Sequence, residues 1–221
     1  MRVSRLVDLS RTVGPHTQPF PGDEVPELVQ ASTIATHGYN RLHVRLSSHT
    51  GTHVDAPYHF RADGQRVDAL DLSLFVGPGV VVDVTGHGAR QPITHAEIAD
   101  QVSEAASGSI VLLHTGWDRH HGTPEYFDHP YLSGEAAQRL LDAGVRTIGI
   151  DAPNPDETPD ETHPGVGWPV HHTVSGHSGV LIENLCGLEQ IDFSDPLISV
   201  LPVKLHDGDG APVRAVAMGT G

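Results

Sequence analysis

Leu42-His43-Val44-Arg45-Leu46-Ser47-Ser48-His49-Thr50-Gly51-Thr52-His53-Val54-Asp55-Ala56-Pro57-Tyr58-His59 changes character half-way along. Residues 42–46 alternate apolar and polar, the pattern of a half-buried strand. Gly51 and Pro57 then argue against a continuous helix, so the strand runs into a loop able to wrap around an ion. His49, His53 and Asp55 follow the spacing H-x-x-x-H-x-D. Two neutral imidazoles and a carboxylate suit a divalent transition metal with positions left open for water. Asp55 has two oxygens and could bridge two ions. His59 comes four residues later. It is near enough to pass a proton between an attacking water and a leaving group, with a further ligand or a ligand-orienting group as the alternatives.

Outward from this segment, apolar β-branched runs at Gly79–Val84 and Ile110–Leu113 predict buried strands. Thr94 with Glu97 predicts a capping box opening a helix that runs to about Ala106. Ser133 predicts the cap of a second helix, Gly134 to Ala143, closed by Gly144. Thr147–Ile150 is read as a short strand delivering Asp151, and Val180–Ile182 as a strand ending at Glu183. Between them Pro153–Pro169 reads as a long loop, a type that is often functional. Two late strands, Leu197–Leu205 and Val213–Ala217, are expected to flank the turn Asp207-Gly208-Asp209-Gly210. The expected fold is a single mixed α/β domain over residues 1–221, with a central sheet or barrel-like β core and outer helices.

A second set of candidate ligands lies far along the chain. An ionised Glu183 at the end of an apolar strand is costly unless paired or coordinated, and His171-His172 precede it. On the residues alone, an ordinary ion pair is an equal reading. Most of the other histidines among the 17 in the chain, including His16, His87, His95, His120, His121 and His206, read as surface or capping residues. The single cysteine, Cys186, excludes an intramolecular disulfide and a thiolate-rich zinc site, and reads as a small packing residue.

The formal net charge of -15 argues against nucleic-acid and anionic-membrane partners. No window approaches the length of a membrane span, and residues 1–8 carry no long apolar stretch of the kind a signal peptide needs. A cytoplasmic protein acting on a small molecule is expected.

The segment His49–His59 fits H-x-G-T-H-x-D-x-P-x-H and resembles the signature of the metal-dependent cyclase family, which includes bacterial kynurenine formamidases, isatin hydrolases and a trans-dienelactone hydrolase. Phe20-Pro21-Gly22-Asp23, Leu112-Leu113-His114-Thr115-Gly116-Trp117, Ile148-Gly149-Ile150-Asp151 and Gly208-Asp209-Gly210-Ala211-Pro212-Val213-Arg214 resemble further family segments. The resemblance implies a swivelling β/β/α fold and a homodimer or higher homo-oligomer. It also implies a first metal held by His49, His53 and Asp55, with Asp55 bridging to a second completed by a His and a Glu twelve positions apart. His171 and Glu183 have that separation and His172 does not. His59 matches the family's proton donor and acceptor. Formamidases of the family carry Trp in the aromatic-Pro-Gly-Asp segment, where it helps hold the substrate. Phe20 keeps an aromatic face but lacks the indole N–H, and Trp168 is a candidate replacement wall.

Together these readings predict a metal-dependent hydrolase of an amide, formamide, lactam or lactone. Zn2+ is the first candidate, Mn2+ the alternative, with one or two ions per chain. A metal-dependent cyclase or lyase is the competing reading, since ring closure is ring-opening hydrolysis reversed. A non-catalytic metal-binding module would lack an adjacent proton carrier such as His59.

Overall fold

The computed structural model describes residues 2–221. In chain order the strands are β1 (Val3–Asp8), β2 (Glu27–Ser32), β3 (Arg41–Arg45), β4 (His53–Asp55), β5 (Val76–Asp83), β6 (Pro92–Ile93), β7 (Ile110–His114), β8 (Tyr131–Leu132), β9 (Thr147–Ile150), β10 (Val180–Glu183), β11 (Leu197–Ser199), β12 (Gly210–Pro212) and β13 (Val216–Thr220). The helices are α1 (Ile34–His37), α2 (His95–Ile98), α3 (Gly134–Asp142) and α4 (Pro169–Gly176). Nine strands make one sheet in the order β1-β13-β11-β5-β7-β9-β10-β4-β12. Its middle, β5-β7-β9-β10, is parallel, and antiparallel strands flank it on both sides. The mixed α/β expectation, helices outside a central β core, describes this arrangement.

The parallel strands read as unbroken apolar runs because both of their faces are covered. On β7, Val111 and Leu113 pack with Ile148, Ile150 and the inward faces of α3 and α4, including Leu140, Leu141, Val170 and Val174. Ile110 and Leu112 point the other way, into a layer with Val54, Ile182 and Ile198. Truncating a fully buried leucine such as Leu112 to alanine costs about 2–5 kcal/mol in such a layer. The Ser133 hydroxyl caps α3 by accepting from the Ala136 N–H at 3.1 Å, and Gly144, at φ +96°, ends it.

Four expectations need correction. The capping box exists, with the Glu97 carboxylate accepting from the N–H and hydroxyl of Thr94 at 2.8 and 2.6 Å, but the helix it opens stops at Ile98 instead of reaching Ala106. Beyond it the Gln101 side chain pairs with the backbone of Asp83 in both directions. The Ser103 hydroxyl donates to the Asp100 carbonyl. Both compete with a continuing helix.

The strand expected over Leu197–Leu205 ends at Ser199, ahead of Pro202, which has no N–H to give a ladder. The strand expected over Val213–Ala217 begins at Val216. Gly210–Pro212 instead forms its own strand beside β4 at the far edge of the sheet, while the two strands on either side of the Asp207–Gly210 turn, β11 and β13, pair antiparallel with each other. Finally, β3 is a strand, but it pairs only with β2 in a separate ribbon, and all five of its residues are exposed. Alternation there reports a pleat without a layer beneath it. Among the described residues no helix is long and apolar enough to cross a membrane.

Candidate metal and catalytic site

Strand register builds the floor of the site. In the antiparallel pair β4–β10, Glu183 stands opposite His53 and Leu181 opposite Asp55. Opposed residues share a face, and residues two apart on one strand do as well. His53, Asp55 and Glu183 therefore project together, while Val54 between them enters the core on the other side. Helix α4 lies over this face and lowers His171 onto it. The preceding loop turns through Gly51, at φ +66°, which brings His49 back over Asp55. Gly210 on β12 leaves room for that ring: a Cβ there would sit 2.5 Å from the Val54 carbonyl oxygen and 3.0 Å from His49 Cε1.

The polar atoms converge. Asp55 Oδ1 lies 2.8 Å from His49 Nδ1 and 3.4 Å from His53 Nε2. Asp55 Oδ2 lies 3.4 Å from His171 Nε2. Glu183 reaches His53 Nε2 with one oxygen at 3.3 Å and His171 Nε2 with the other at 3.1 Å. The five expected ligands are thus brought into one cluster, with Asp55 at its centre. Ligand atoms of His53, Asp55 and Glu183 all lie within 4.8 Å of one another, and so do those of His49, Asp55 and His59. His59 is accordingly close enough to ligate, the alternative role weighed for it. His172 is exposed and turned against Phe60, outside the cluster.

The donor set fits a divalent cation. His53 Nδ1 donates to the Gly51 carbonyl at 2.8 Å, and its Nε2 is buried without a hydrogen bond. His171 Nδ1 donates to Asp156 at 2.6 Å, and His49 Nε2 to Asp209 at 3.0 Å. Each imidazole has its outer nitrogen held and its inner one aimed at the carboxylates, the arrangement by which metal-ligand histidines are oriented.

The electrostatics agree. Burial opposes protonation of His49, but the carboxylates of Asp209 and Asp55 outweigh it and raise its pKa to about 10. For His53 burial is likewise outweighed, by Asp55 and Glu183, and its pKa rises to about 9. His171 is raised well above 6.5 against its burial by Asp156, Asp55 and Glu183. Burial works to raise Asp55, yet the three imidazoles hold it well below the usual carboxylate range. Together these groups demand positive charge, which a metal ion supplies once the imidazoles give up their protons.

Above the ligands opens a pocket walled by Phe20, Phe60, Tyr126, Phe127 and Trp168. The rings of Phe20 and Trp168 are 6.1 Å apart, and Phe60 lies 4.4 Å from His171. Both expected substrate-side residues therefore line one cavity. Gln18, Asn154 and Asn184 add amide groups, and among the described residues no Lys or Arg lines it.

Sequence reasoning missed Asp156, Asp209 and most of this wall. Asp209 sat unremarked in the C-terminal turn, although a carboxylate between two glycines in a recognised segment was a signal. Its side chain accepts from Ser48 Oγ at 2.8 Å and stands 3.5 Å from His59 Nδ1. Asp156 was one acid among several in a long loop, and no spacing marked it.

A family model described as "Putative cyclase" matches residues 7–157, which include the whole segment His49–His59. The chain belongs to the cyclase family. Among cyclase-family relatives, it is 37% identical over 220 residues to the kynurenine formamidase of Salinibacter ruber (strain DSM 13855 / M31), covering 96% of each chain. It is 32% identical over 219 residues to the kynurenine formamidase of Bacillus cereus (strain ATCC 14579), covering 98% of each. Among solved structures, isatin hydrolase A from Labrenzia aggregata bound to benzyl benzoate superposes with a TM-score of 0.85 at 26% identity, over 98% of this chain and 94% of that one. The family match ends before His171 and Glu183. The near full-length likeness to the formamidases extends past both.

Proposed function

We propose that this cyclase-family protein hydrolyses the formamide of an aromatic substrate, with N-formylkynurenine as the first candidate and other amides, lactams and lactones as the related class. It is a metal-dependent hydrolase of carbon–nitrogen bonds other than peptide bonds. One observation carries the substrate class: the oriented ligand cluster forms the floor of a pocket whose walls are aromatic rings and amides. A flat aryl ring stacks between such walls, which places an attached neutral amide over the ligands.

The reading assigns His49, His53 and Asp55 to one ion and Asp55, His171 and Glu183 to a second, with zinc ahead of manganese. Bound there, a divalent ion supplies a Lewis acid for the carbonyl and an acidified water. The chain supplies the rest. His59, about a third exposed at the mouth of the site, takes up a proton as water is consumed and returns it to the leaving nitrogen. Asp209 faces its Nδ1, which leaves Nε2 for that exchange. Phe20 and Trp168 hold the aryl ring, and Phe60 packs on His171.

The proposal includes a homodimer. The ribbon β2–β3 exposes Leu42 and Val44 on one face, apolar surface of the kind a second copy covers. Light scattering giving twice the chain mass supports this, and a monomer refutes it.

The activity test is hydrolysis of N-formylkynurenine by protein loaded with zinc or manganese, followed by absorbance and product mass. Metal-dependent release of formate, together with an amine product lighter than the substrate by the mass of CO, establishes hydrolysis. A product lighter by one water establishes the cyclase or lyase direction. No turnover by metal-loaded protein rejects the formamidase and moves testing to cyclic amides and lactones.

A further inference from the structure

The three ligand imidazoles differ in what holds their outer nitrogen. For His53 it is a neutral carbonyl, and for His49 the partly exposed Asp209 at the pocket rim. For His171 it is Asp156, whose carboxylate is 2% exposed. Asp156 does not face the ligand cluster. One of its oxygens accepts from the Val170 N–H at 2.8 Å. The other accepts from the backbone N–H of His171 at 3.0 Å and from its Nδ1–H at 2.6 Å. Three N–H groups thus converge on two oxygens, and only a group that accepts at both positions satisfies them all. With its proton on Nδ1, His171 turns Nε2 toward Glu183 and Asp55, at 3.1 and 3.4 Å.

Asp156 is itself held by a buried relay. Its N–H donates to Asn154 Oδ1 at 2.8 Å. Asn154 Nδ2 donates to Thr158 Oγ1 at 2.9 Å, and the Thr158 hydroxyl donates to His129 Nε2 at 2.8 Å. The His129 ring closes the chain by donating from Nδ1 to the Pro130 carbonyl. Residues 129, 154, 156 and 158 are all buried, so the relay fixes the backbone at Asp156, while the three N–H groups on its oxygens hold the carboxylate against His171.

We infer that Asp156 is a positioning residue: by fixing the tautomer and rotamer of His171 it prepares the metal position shared by Asp55, His171 and Glu183, and leaves the position of His49 and His53 untouched. The inference rests on the metal reading above. Because Asp156 also caps α4, a purely structural role has to be separated from this one.

Metal readouts separate them without substrate. Wild type and Asp156→Asn, which keeps the size of the side chain and one carbonyl oxygen, are loaded with zinc. They are compared by elemental analysis, by chelator competition and by proton–nitrogen NMR of the histidine rings, with circular dichroism as the check on folding. Wild type is expected to hold two ions and to show a hydrogen-bonded His171 Nδ1–H. Asp156→Asn is expected to keep wild-type circular dichroism and its first ion, while affinity for the second falls about 10- to 100-fold and the Nδ1–H signal is lost.

Both ions bound by Asp156→Asn at wild-type affinity overturns the inference, as does a wild-type His171 carrying its proton on Nε2. Loss of both ions together with altered circular dichroism assigns Asp156 to folding alone and overturns it too. A wild type holding one ion removes the site that Asp156 is said to prepare. A wild type holding none refutes the metal reading itself.

Discussion

His53 Nδ1 donates to the carbonyl oxygen of Gly51 at 2.8 Å, two residues back along the chain, and this local bond decides where the other end of the ring points. Nε2 is driven into the buried space between Asp55 and Glu183, where it makes no hydrogen bond. A buried polar atom without a partner costs about 1–3 kcal/mol, a cost that ligation removes. Zinc at 100 times its Kd should stabilise the folded protein by about 2.7 kcal/mol, a rise in Tm of roughly 5–10 °C for a chain of this size. His53→Ala should abolish most of that rise. A full zinc-dependent shift in the variant, read by thermal melting with and without chelator, would remove His53 from the ligand set.

The His49–His59 segment was legible because its chemistry is local. Gly51 and Pro57 forbid a helix, but the expected loop is over His53–Asp55 the strand β4, and it is that strand's alternation that puts His53 and Asp55 on one face. Glu183 was legible as an acid that ends an apolar strand. Its partnership with His53 depends on β4 pairing with β10 across more than a hundred residues, which no periodicity reveals. Asp156 and Asp209 escaped notice for the same reason, since they touch the ligands only after α4 and β12 have docked. Local signals also overran. The capping box at Thr94 opens a helix but does not determine its length, and the Gln101–Asp83 pairing that ends it is a tertiary contact.

His59 is set apart from the five candidate ligands by exposure and by its neighbour. Its ring lies 4.1 Å from that of His49, yet the carboxylate nearest its Nδ1 is Asp209, at the rim. His59→Ala should therefore keep its metal content and lose turnover by about 10²- to 10⁴-fold, the range of a removed proton carrier. Metal analysis alongside steady-state rates makes the distinction. Metal loss in step with activity would instead make His59 a ligand.

A Cβ on Gly210 would sit 2.5 Å from the Val54 carbonyl oxygen, closer than any Cβ tolerates, and 3.0 Å from His49 Cε1, a tight contact. Gly210→Ala must push β12 away from β4 or swing His49 off Asp55. Overpacking of this kind costs about 1–3 kcal/mol, measurable as a lower denaturation midpoint. Because one of the two clashing neighbours is the candidate ligand His49, zinc affinity should weaken as well. A variant that is less stable yet binds zinc as wild type does would show that the backbone yields and His49 does not move.

His129 supplies a pH dependence distinct from that of the ligands. Burial pushes its pKa down to about 4 from an ordinary 6.5, with smaller opposing contributions from the Pro130 carbonyl, Glu183 and Asp128 and a further lowering from Arg90. The folded protein keeps it neutral, as the relay requires, since Nε2 accepts from Thr158. The unfolded chain binds the proton near pH 6.5 and the folded chain only near pH 4, so between these values unfolding takes up a proton. The contribution is complete above pH 6.5 and is lost progressively as pH falls toward 4, up to roughly 3 kcal/mol. His129→Gln keeps a donor and an acceptor but does not titrate. Denaturant melts at pH 7.5, 5.5 and 4.5 should show wild type losing more stability than this variant on acidification. Parallel losses in the two proteins would mean that the relay accepts a protonated His129.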